Sequence, residues 1–261
     1  MDQLFPTPLA NLDPVELVAA ETRPTPPDRP WVLVNMVASI DGAIEVEGRS
    51  GGLSSRADKA MFHALRQLPD VIMAGAGTVR VENYGPVQLD ADTQARRVAR
   101  GQQALPRLAV VSGRAHLDPD SRLFSDPTQR PIVITTTTAS SDAVDKLRNV
   151  ADIIIAGSDT VDLRAAFAEL REQGMKTLLC EGGPTLNNQL LHDDLVDEWC
   201  QTIAPVLTGG NAAQRSTGSP PQVARSLQLA RVVVEDDVLL LCYARTASAS
   251  ASRCGEWTCP S

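Results

Sequence analysis

Short apolar runs alternate with helical patterns along most of this chain, and no other feature constrains its fold as strongly. The helical pattern is clearest where apolar residues recur at helical spacing from a cap at Ser54 or Ser55 to Leu68. A repeated strand–helix order predicts a mostly parallel sheet with helices on both faces, which is a three-layer α/β fold. The apolar runs that we interpret as strands lie at about 31–38, 70–75, 107–112, 131–137, 152–156 and 176–181.

The last part of the chain departs from this order. Leu195–Val206 is typical of one more strand, and residues 227–234 with 238–243 are typical of a hairpin that turns at Glu235-Asp236-Asp237. Antiparallel strands are common at the edge of an α/β sheet, so the predicted sheet is mixed. These strands are apolar enough to form a two-fold homodimer interface, or to be an edge that the N-terminal segment covers.

The composition divides the chain into three parts. Prolines interrupt residues 1–29, which we expect to form an arm with one short helix from Pro14 to Ala20. Residues 30–245 carry the alternating elements and form the predicted main domain. Residues 246–261 are small and polar, and we expect a disordered tail.

The charge and the motifs exclude several classes of function. The net charge is −8 and no basic stripe occurs, which argues against nucleic acid as a partner. No apolar run approaches the ~20 residues of a membrane span, and the first residues do not resemble a signal peptide. Five cysteines without a CxxC pair favour the cytoplasm. The sequence has no HExxH, zinc-type spacing, GxSxG or P-loop, so no metal is predicted.

The most informative loop follows the run at 176–181. Glu181 ends the run, Gly182-Gly183-Pro184-Thr185 follow, and a helical pattern then begins. A turn with few side chains exposes backbone N–H groups, and the helix N-terminus attracts anions. The combination predicts a dinucleotide site beside a reaction centre. The alternative is a glutamate that ends a strand at an ordinary Gly-Pro turn.

Two more loops follow predicted strands, and ligands of open α/β sheets bind beyond the carboxyl ends of strands. Asp41 directly follows the first run and precedes a glycine, so it is either a functional acid or a turn aspartate. Gly75-Ala76-Gly77-Thr78 joins a strand to a helix, and its glycines allow close approach of a phosphate that Thr78 can contact. A plain tight turn is the alternative, because Arg80 stands where the full G-x-G-x-x-G fingerprint has its third glycine.

A fourth loop, Ser112-Gly113-Arg114, carries a hydroxyl and a guanidinium after a strand. Arginine can bind a phosphate monoester through two parallel hydrogen bonds. The loop is therefore either the 2′-phosphate site that selects NADPH over NADH or an exposed turn with a solvated arginine.

Five segments together resemble the reductase (C-terminal) domain of the riboflavin-biosynthesis RibD family. They are VASIDG, LSSRADKAMFHALRQLPDVIMAGAGTVRVENYGP, LAVVSGR, TLLCEGGPTLNNQLL and LVDEWCQTIAPVLTGG, in the family's order over about residues 30–245. The chain is most similar to stand-alone actinobacterial-type members. The resemblance implies a dihydrofolate-reductase-like fold, NADPH and a homodimer. It also implies reduction of the ribose of 5-amino-6-(5-phosphoribosylamino)uracil to a ribityl chain.

The resemblance also implies roles for individual residues. The substrate would contact Ser50, Arg66 and Glu181, and the adenosine end of NADPH would face Ser112. We expect Asp41 to assist ring opening or proton delivery with a raised pKa, and Glu181 to orient the substrate. The residues implied for the rest of NADPH are Val37, Gly52, Thr78 and Glu82, with Gly182, Gly183, Pro184, Thr185, Leu186, Asn187 and Asn188 around the pyrophosphate and nicotinamide.

Three departures from the family's pattern concern the substrate. Asn35 replaces a common lysine, Gly52 a common tryptophan, and Asn83-Tyr84-Gly85-Pro86 a segment that binds substrate. Two other functions therefore stay open: reduction of dihydrofolate or another pterin, and NADPH binding without catalysis.

Overall fold

A computed structural model describes residues 1–209 and 226–245. Its single sheet has ten strands in the order β1-β9-β10-β8-β2-β7-β3-β4-β5-β6. Neighbours from β8 to β6 are parallel, and the pairs β1–β9, β9–β10 and β10–β8 are antiparallel. The strands are β1 Asp2–Phe5, β2 Trp31–Ser39, β3 Val71–Gly75, β4 Arg107–Val111, β5 Ile132–Thr135, β6 Asp152–Ile155, β7 Thr177–Cys180, β8 Glu198–Ala204, β9 Gln228–Glu235 and β10 Val238–Ala244.

Helices pack on both faces of this sheet, as the alternating pattern predicted. The strands feed two apolar cores, because successive side chains point to opposite faces. Leu33 lies in the core that α1, α2, α3 and α5 cover, whereas Val32 and Val34 lie in the core under α6 and α7. The helices are α1 Pro14–Ala19, α2 Arg56–Leu65, α3 Ala76–Val81, α4 Ala91–Ala99, α5 Ser141–Arg148, α6 Leu163–Glu172 and α7 Pro184–His192.

The N-terminal arm is partly integrated into this architecture. Its first residues form β1, which pairs with β9 at the edge of the sheet, and Val18 of α1 is fully buried in the core. Asp13 caps α1 by accepting hydrogen bonds from the N–H groups of Val15 and Glu16. The arm therefore covers the edge strand β9, which was one of the two alternatives for the apolar C-terminal strands.

The sequence predicted β2 to β7 and the β9–β10 hairpin to within a few residues, but it missed β1 and α4. β1 has four residues and only Gln3 is buried, so it shows no apolar run. In α4 the buried residues are Thr93 and Arg97, so no apolar stripe marks the helix. The predicted tail lies outside the described residues. Among the described helices, none is long and apolar enough to cross a membrane.

The topology places the four candidate loops side by side. Strands β2, β7, β3 and β4 are consecutive and parallel, so their carboxyl ends meet at one edge of the sheet. This carboxyl edge carries Asp41, Glu181, the Gly75–Thr78 turn and the Ser112–Arg114 loop.

Candidate active site

The turns that follow β3 and β7 meet at the carboxyl edge. The Gly75 N–H donates to the Gly182 carbonyl at 2.8 Å. A Cβ on Gly183 would lie 2.6 Å from Thr78 Oγ1, so no other residue fits there without displacing Thr78. Gly182 has a φ of 86°, in the left-handed region that favours glycine, and the Gly182–Gly183 peptide is cis. The two turns therefore form one surface of backbone on which side chains scarcely intrude.

Helix α7 begins directly behind this surface. Gly183 is its N-cap and offers no side-chain acceptor, and Pro184 occupies the first turn. Because the cap residue has no side chain, the helix N-terminus directs backbone donors and the positive end of its dipole outward. Thr185 is exposed, Asn188 is half-buried and Leu186 is buried, so the implied residues differ in access.

Asn187 supports the turn from inside. Its side chain is fully buried, and its N–H donates to the Gly183 carbonyl at 3.0 Å. Its Nδ2 donates to Met36 Sδ at 3.2 Å, which connects α7 to β2. The Cys180 thiol points at Asn187 Oδ1 over 3.7 Å, and burial raises the pKa of Cys180 to about 12. The implied contact of Asn187 with the cofactor would thus run through the backbone that it holds.

Glu181 is the centre of a buried ionic cluster. It directly follows β7 and is 9% exposed, and its carboxylate accepts two hydrogen bonds from Arg66 at 2.7 and 2.6 Å. The Tyr84 hydroxyl donates to the same carboxylate at 2.5 Å. Arg66 is the C-cap of α2, and Tyr84 lies just after α3. We refer to Arg66, Tyr84 and Glu181 as the Glu181 cluster.

The guanidinium of Arg66 is held on several sides. Its Cζ lies 4.4 Å from the centroid of the Phe62 ring and 5.5 Å from that of Tyr84. Burial opposes the charge, but the hydrogen bonds and the negative charge of Glu181 outweigh it and raise the pKa of Arg66. Its Nε and Nη2 are used by Glu181, while Nη1 has no acceptor among the described residues. One edge of a permanent cation therefore stays available to a ligand.

Four further implied residues come from three parts of the chain: Ser50 and Gly52 precede α2, Glu82 caps the end of α3, and Val37 lies on β2. The Ser50 N–H and hydroxyl donate to Glu82 Oε1 at 3.2 and 2.9 Å, so a residue implied for substrate binds one implied for cofactor. A Cβ on Gly52 would lie 2.8 Å from Val46 Cβ, which explains why a larger residue does not fit this loop. Val37 is half-buried on β2.

The structure contradicts the raised pKa that we expected for Asp41. The carboxylate is exposed and accepts hydrogen bonds from the Ser39 hydroxyl at 2.5 Å and the Gly209 N–H at 2.8 Å. These bonds, with a weaker one from the Thr208 N–H, lower the pKa of Asp41. Asp41 thus stays ionised and anchors the segment after β8, which is the role of the turn aspartate considered above. A group ionised throughout the neutral range does not fit a general acid.

The loop after β4 presents one free cation. Ser112 is buried, and the Gly113 carbonyl accepts hydrogen bonds from the hydroxyls of Thr135 and Thr136 at 3.1 and 2.8 Å. Arg114 is exposed and has no hydrogen-bond or ionic partner within the part of the chain that the structure describes. These two hydrogen bonds hold the base of the loop, and its tip offers an unpaired guanidinium.

Tyr84 is a site residue that the sequence did not predict. The Asn83–Pro86 segment stood out only as a departure from the family's pattern, and nothing local to it shows that the hydroxyl reaches Glu181, 97 positions away.

Comparison with known proteins supports the resemblance stated from the motifs. The model of the RibD C-terminal domain matches residues 30–241. A protein named 2,5-diamino-6-ribosylamino-4(3H)-pyrimidinone 5′-phosphate reductase from Archaeoglobus fulgidus is 32% identical over 70% of this chain and 83% of its own length. A protein of the same name from Methanothermobacter thermautotrophicus is 33% identical over 71% of this chain and 82% of its own length.

A solved structure extends the similarity to three dimensions. The crystal structure of a pyrimidine reductase-like protein from Corynebacterium diphtheriae superposes with a TM-score of 0.80 at 28% identity. The superposition covers 91% of this chain and 100% of the other. The family match spans the Glu181 cluster and the paired glycine turns, and we conclude that this chain belongs to the RibD C-terminal domain family.

Proposed function

We propose that this protein is an NADPH-dependent reductase of riboflavin biosynthesis that acts on a phosphorylated ribosylaminopyrimidine. The observation that carries the proposal is the position of Glu181. A buried carboxylate paired with Arg66 lies directly beside the Gly182–Gly183 turn, at the carboxyl edge where ligands of such sheets bind.

The proposed cofactor fits the residues present. The contact of Thr78 with Gly183 leaves a bare backbone surface, and the N-terminus of α7 directs donors toward it. Such a surface suits a pyrophosphate, and the Ser112–Arg114 loop two strands away suits the adenosine end with its 2′-phosphate. We propose that Val37, Gly52 and Glu82 line the remainder of the cofactor site.

When bound, NADPH would supply a hydride to C1′ of the ribosylamine, opened to its imine, and the nitrogen would take up a proton. The protein's own part is orientation and electrostatics. Glu181 is held by Arg66 and Tyr84, so its carboxylate can fix a hydroxyl or N–H of the substrate in one direction. Arg66 Nη1 can donate a hydrogen bond to a negatively charged or carbonyl oxygen of the substrate. Ser50 is proposed as a further contact, although it must then share its hydroxyl with Glu82.

The proposal covers two pyrimidine rings, which differ at C2. The resemblance implies 5-amino-6-(5-phosphoribosylamino)uracil, whereas the archaeal relatives are named for the 2,5-diamino-pyrimidinone, which carries an amino group at C2. Both compounds present the same phosphorylated ribosylamine.

The decisive test is steady-state oxidation of NADPH by the purified protein with each compound. We expect turnover with at least one of them, and the ratio of kcat/KM identifies the preferred ring. Oxidation with dihydrofolate alone would favour a pterin reductase, and tight NADPH binding without any oxidation would favour a non-catalytic binding protein.

We further propose that the protein is a cytoplasmic homodimer. Leu239 is 38% exposed on the face of the sheet opposite α1 and α2, and Leu241 and Ile203 lie half-buried beside it. Such a face suits a two-fold interface. The three described cysteines, Cys180, Cys200 and Cys242, are free thiols, which suits a reducing compartment. Sedimentation of the purified protein tests the dimer.

A further inference from the structure

We infer that Tyr84 is a positioning residue for the active site, acting through Glu181. The inference rests on the proposed function only where activity is measured. Three elements meet in the Glu181 cluster, and Tyr84 is the one member that neither the motifs nor the resemblance assigned. Its hydroxyl donates to Glu181 Oε2, the same oxygen that accepts from Arg66 Nη2.

The role of the Tyr84 hydroxyl follows from the number of acceptor positions on the Glu181 carboxylate. Each carboxylate oxygen has about two lone-pair directions. Tyr84 and Arg66 together fill both on Oε2, while Arg66 Nε fills one on Oε1. One direction, on Oε1, is left for a substrate. Without the Tyr84 hydroxyl the carboxylate would have two free directions and would be held along one side only.

Tyr84 is itself fixed by the loop that carries it. Its N–H donates to the Val79 carbonyl at 3.0 Å, which ties it to α3. Arg122 packs closely against the next residue, since a Cβ on Gly85 would lie only 2.6 Å from Arg122 Nε. Arg122 Nη1 also donates to the Asn83 carbonyl at 3.2 Å, and Asn83 has a left-handed φ of 49°. The hydroxyl therefore reaches Glu181 from a loop with a defined course.

Tyr84 can donate over the whole working range of pH. Burial, reinforced by the negative charge of Glu181, raises the pKa of Tyr84 well above its ordinary value. The phenol therefore stays neutral, and its O–H continues to donate to the Glu181 carboxylate. A donor that does not ionise is suited to holding a carboxylate, and it is not suited to delivering a proton to a substrate.

The first test is a double-mutant cycle of Tyr84→Phe and Glu181→Gln. Tyr84→Phe removes the hydroxyl and keeps the aromatic ring beside Arg66. We expect Tyr84→Phe to lower kcat about tenfold, the scale of one hydrogen bond to a charged group, with the dissociation constant of NADPH unchanged. In the Glu181→Gln background the same change should cost less than about twofold, since Tyr84 then has no carboxylate to hold. Additive effects, or a wild-type kcat for Tyr84→Phe, would overturn the inference.

The second test needs no turnover, so it separates this inference from the proposed function. The chain has only two tyrosines. Tyr243→Phe removes the other one, three strands from β7 in the sheet, and serves also as the matched control for loss of a hydroxyl. In that background, tyrosinate absorbance reports Tyr84 alone.

We expect no ionisation of Tyr84 at pH 10, its ordinary value, while circular dichroism still shows folded protein. Adding Glu181→Gln should lower the midpoint by about one unit or more, because a negative neighbour is removed. A titration midpoint near the ordinary value for Tyr84, or one that Glu181→Gln leaves unchanged, would overturn the inference even if the enzyme is fully active.

Discussion

Two arginine–glutamate pairs in this protein have nearly the same geometry and opposite surroundings. Arg66 meets Glu181 through two hydrogen bonds at 2.7 and 2.6 Å, and Arg23 meets Glu198 in the same way at 2.7 and 2.9 Å. Both glutamate side chains are 3% exposed, but the arginine side chains are 23% exposed for Arg66 and 9% for Arg23. The geometry of the pair alone therefore says nothing about function.

The two pairs differ in how much of their hydrogen-bonding capacity the protein leaves unused. Arg23 also donates to the Val18 carbonyl and to Glu21, and Glu198 accepts from the Trp31 indole, so the pair is closed by protein on every side. It lies at the start of β8 and fastens the N-terminal arm to the sheet. The Arg66–Glu181 pair lies where a strand ends and keeps one guanidinium nitrogen and one acceptor direction open. An ion pair is a candidate site when its hydrogen-bonding capacity is incomplete at a ligand-binding edge.

The largest effect that would sharpen this comparison is expected from Glu198→Gln. The change removes the two-pronged carboxylate partner of Arg23 in a dry site and leaves it only the single bond to the Glu21 carboxylate, and breaking such a pair costs ~3–5 kcal/mol. Urea unfolding measures the loss, with Glu172→Gln on the exposed end of α6 as the matched control. The folded fraction should keep its activity. A stability loss no greater than that of the control would remove Glu198 from the structural role.

The same variant has a predictable dependence on pH. Burial opposes the charge of Glu198, but Arg23 outweighs it and lowers the pKa of the carboxyl group. A depressed pKa stabilises the fold above the unfolded value, ordinarily 4.5, and this contribution disappears as the pH falls below it. The difference in unfolding free energy between wild type and Glu198→Gln should narrow in acid.

Glu181→Gln should give the next largest effect, and this effect should be on catalytic activity. We expect kcat to fall about 10²-fold, the scale of a misplaced substrate, with NADPH binding retained. Its cost in unfolding free energy should be smaller than that of Glu198→Gln, since water can reach Arg66. Stopped-flow kinetics and urea unfolding of both variants decide this, and a reversed order of the two stabilities would break the comparison.

Arg114→Ala tests whether a cation left open at the carboxyl edge serves a ligand. We expect the affinity for NADPH to fall about tenfold and the affinity for NADH to stay nearly unchanged, because only the former carries the 2′-phosphate. Calorimetry with both coenzymes measures this. Arg100→Ala, an exposed arginine at the opposite edge of the sheet, is the matched control. An equal loss for both coenzymes would place the 2′-phosphate elsewhere.

The smallest effect is expected from Asp41→Asn. Asp41 lies at the same edge as Glu181, but protein groups satisfy its carboxylate, so it resembles the closed pair in this respect. We expect kcat to change less than about tenfold, well below the range for a general acid. A loss of a hundredfold in kcat, with the fold intact, would return Asp41 to the chemistry.

The sequence by itself determined the elements and the edge at which they act. Apolar runs, helical spacing and turn residues are local signals, so β2 to β7, the C-terminal hairpin and the loops after the strands could be predicted. The double-glycine turn also showed locally that backbone would be exposed beside Glu181. Elements without such a signal were missed, namely β1 with its single buried residue and α4 with a buried arginine.

Only the tertiary structure decided which polar groups are partners. Arg66 and Glu181 are 115 positions apart, and Arg23 and Glu198 are 175 positions apart, so no local pattern distinguishes the open pair from the closed one. The hydrogen bonds that keep Asp41 ionised come partly from Gly209, which reaches it only because β8 lies beside β2. Whether a charged group serves a ligand or the fold depends on which neighbours satisfy it, and parallel strand pairing brings those neighbours from distant parts of the chain.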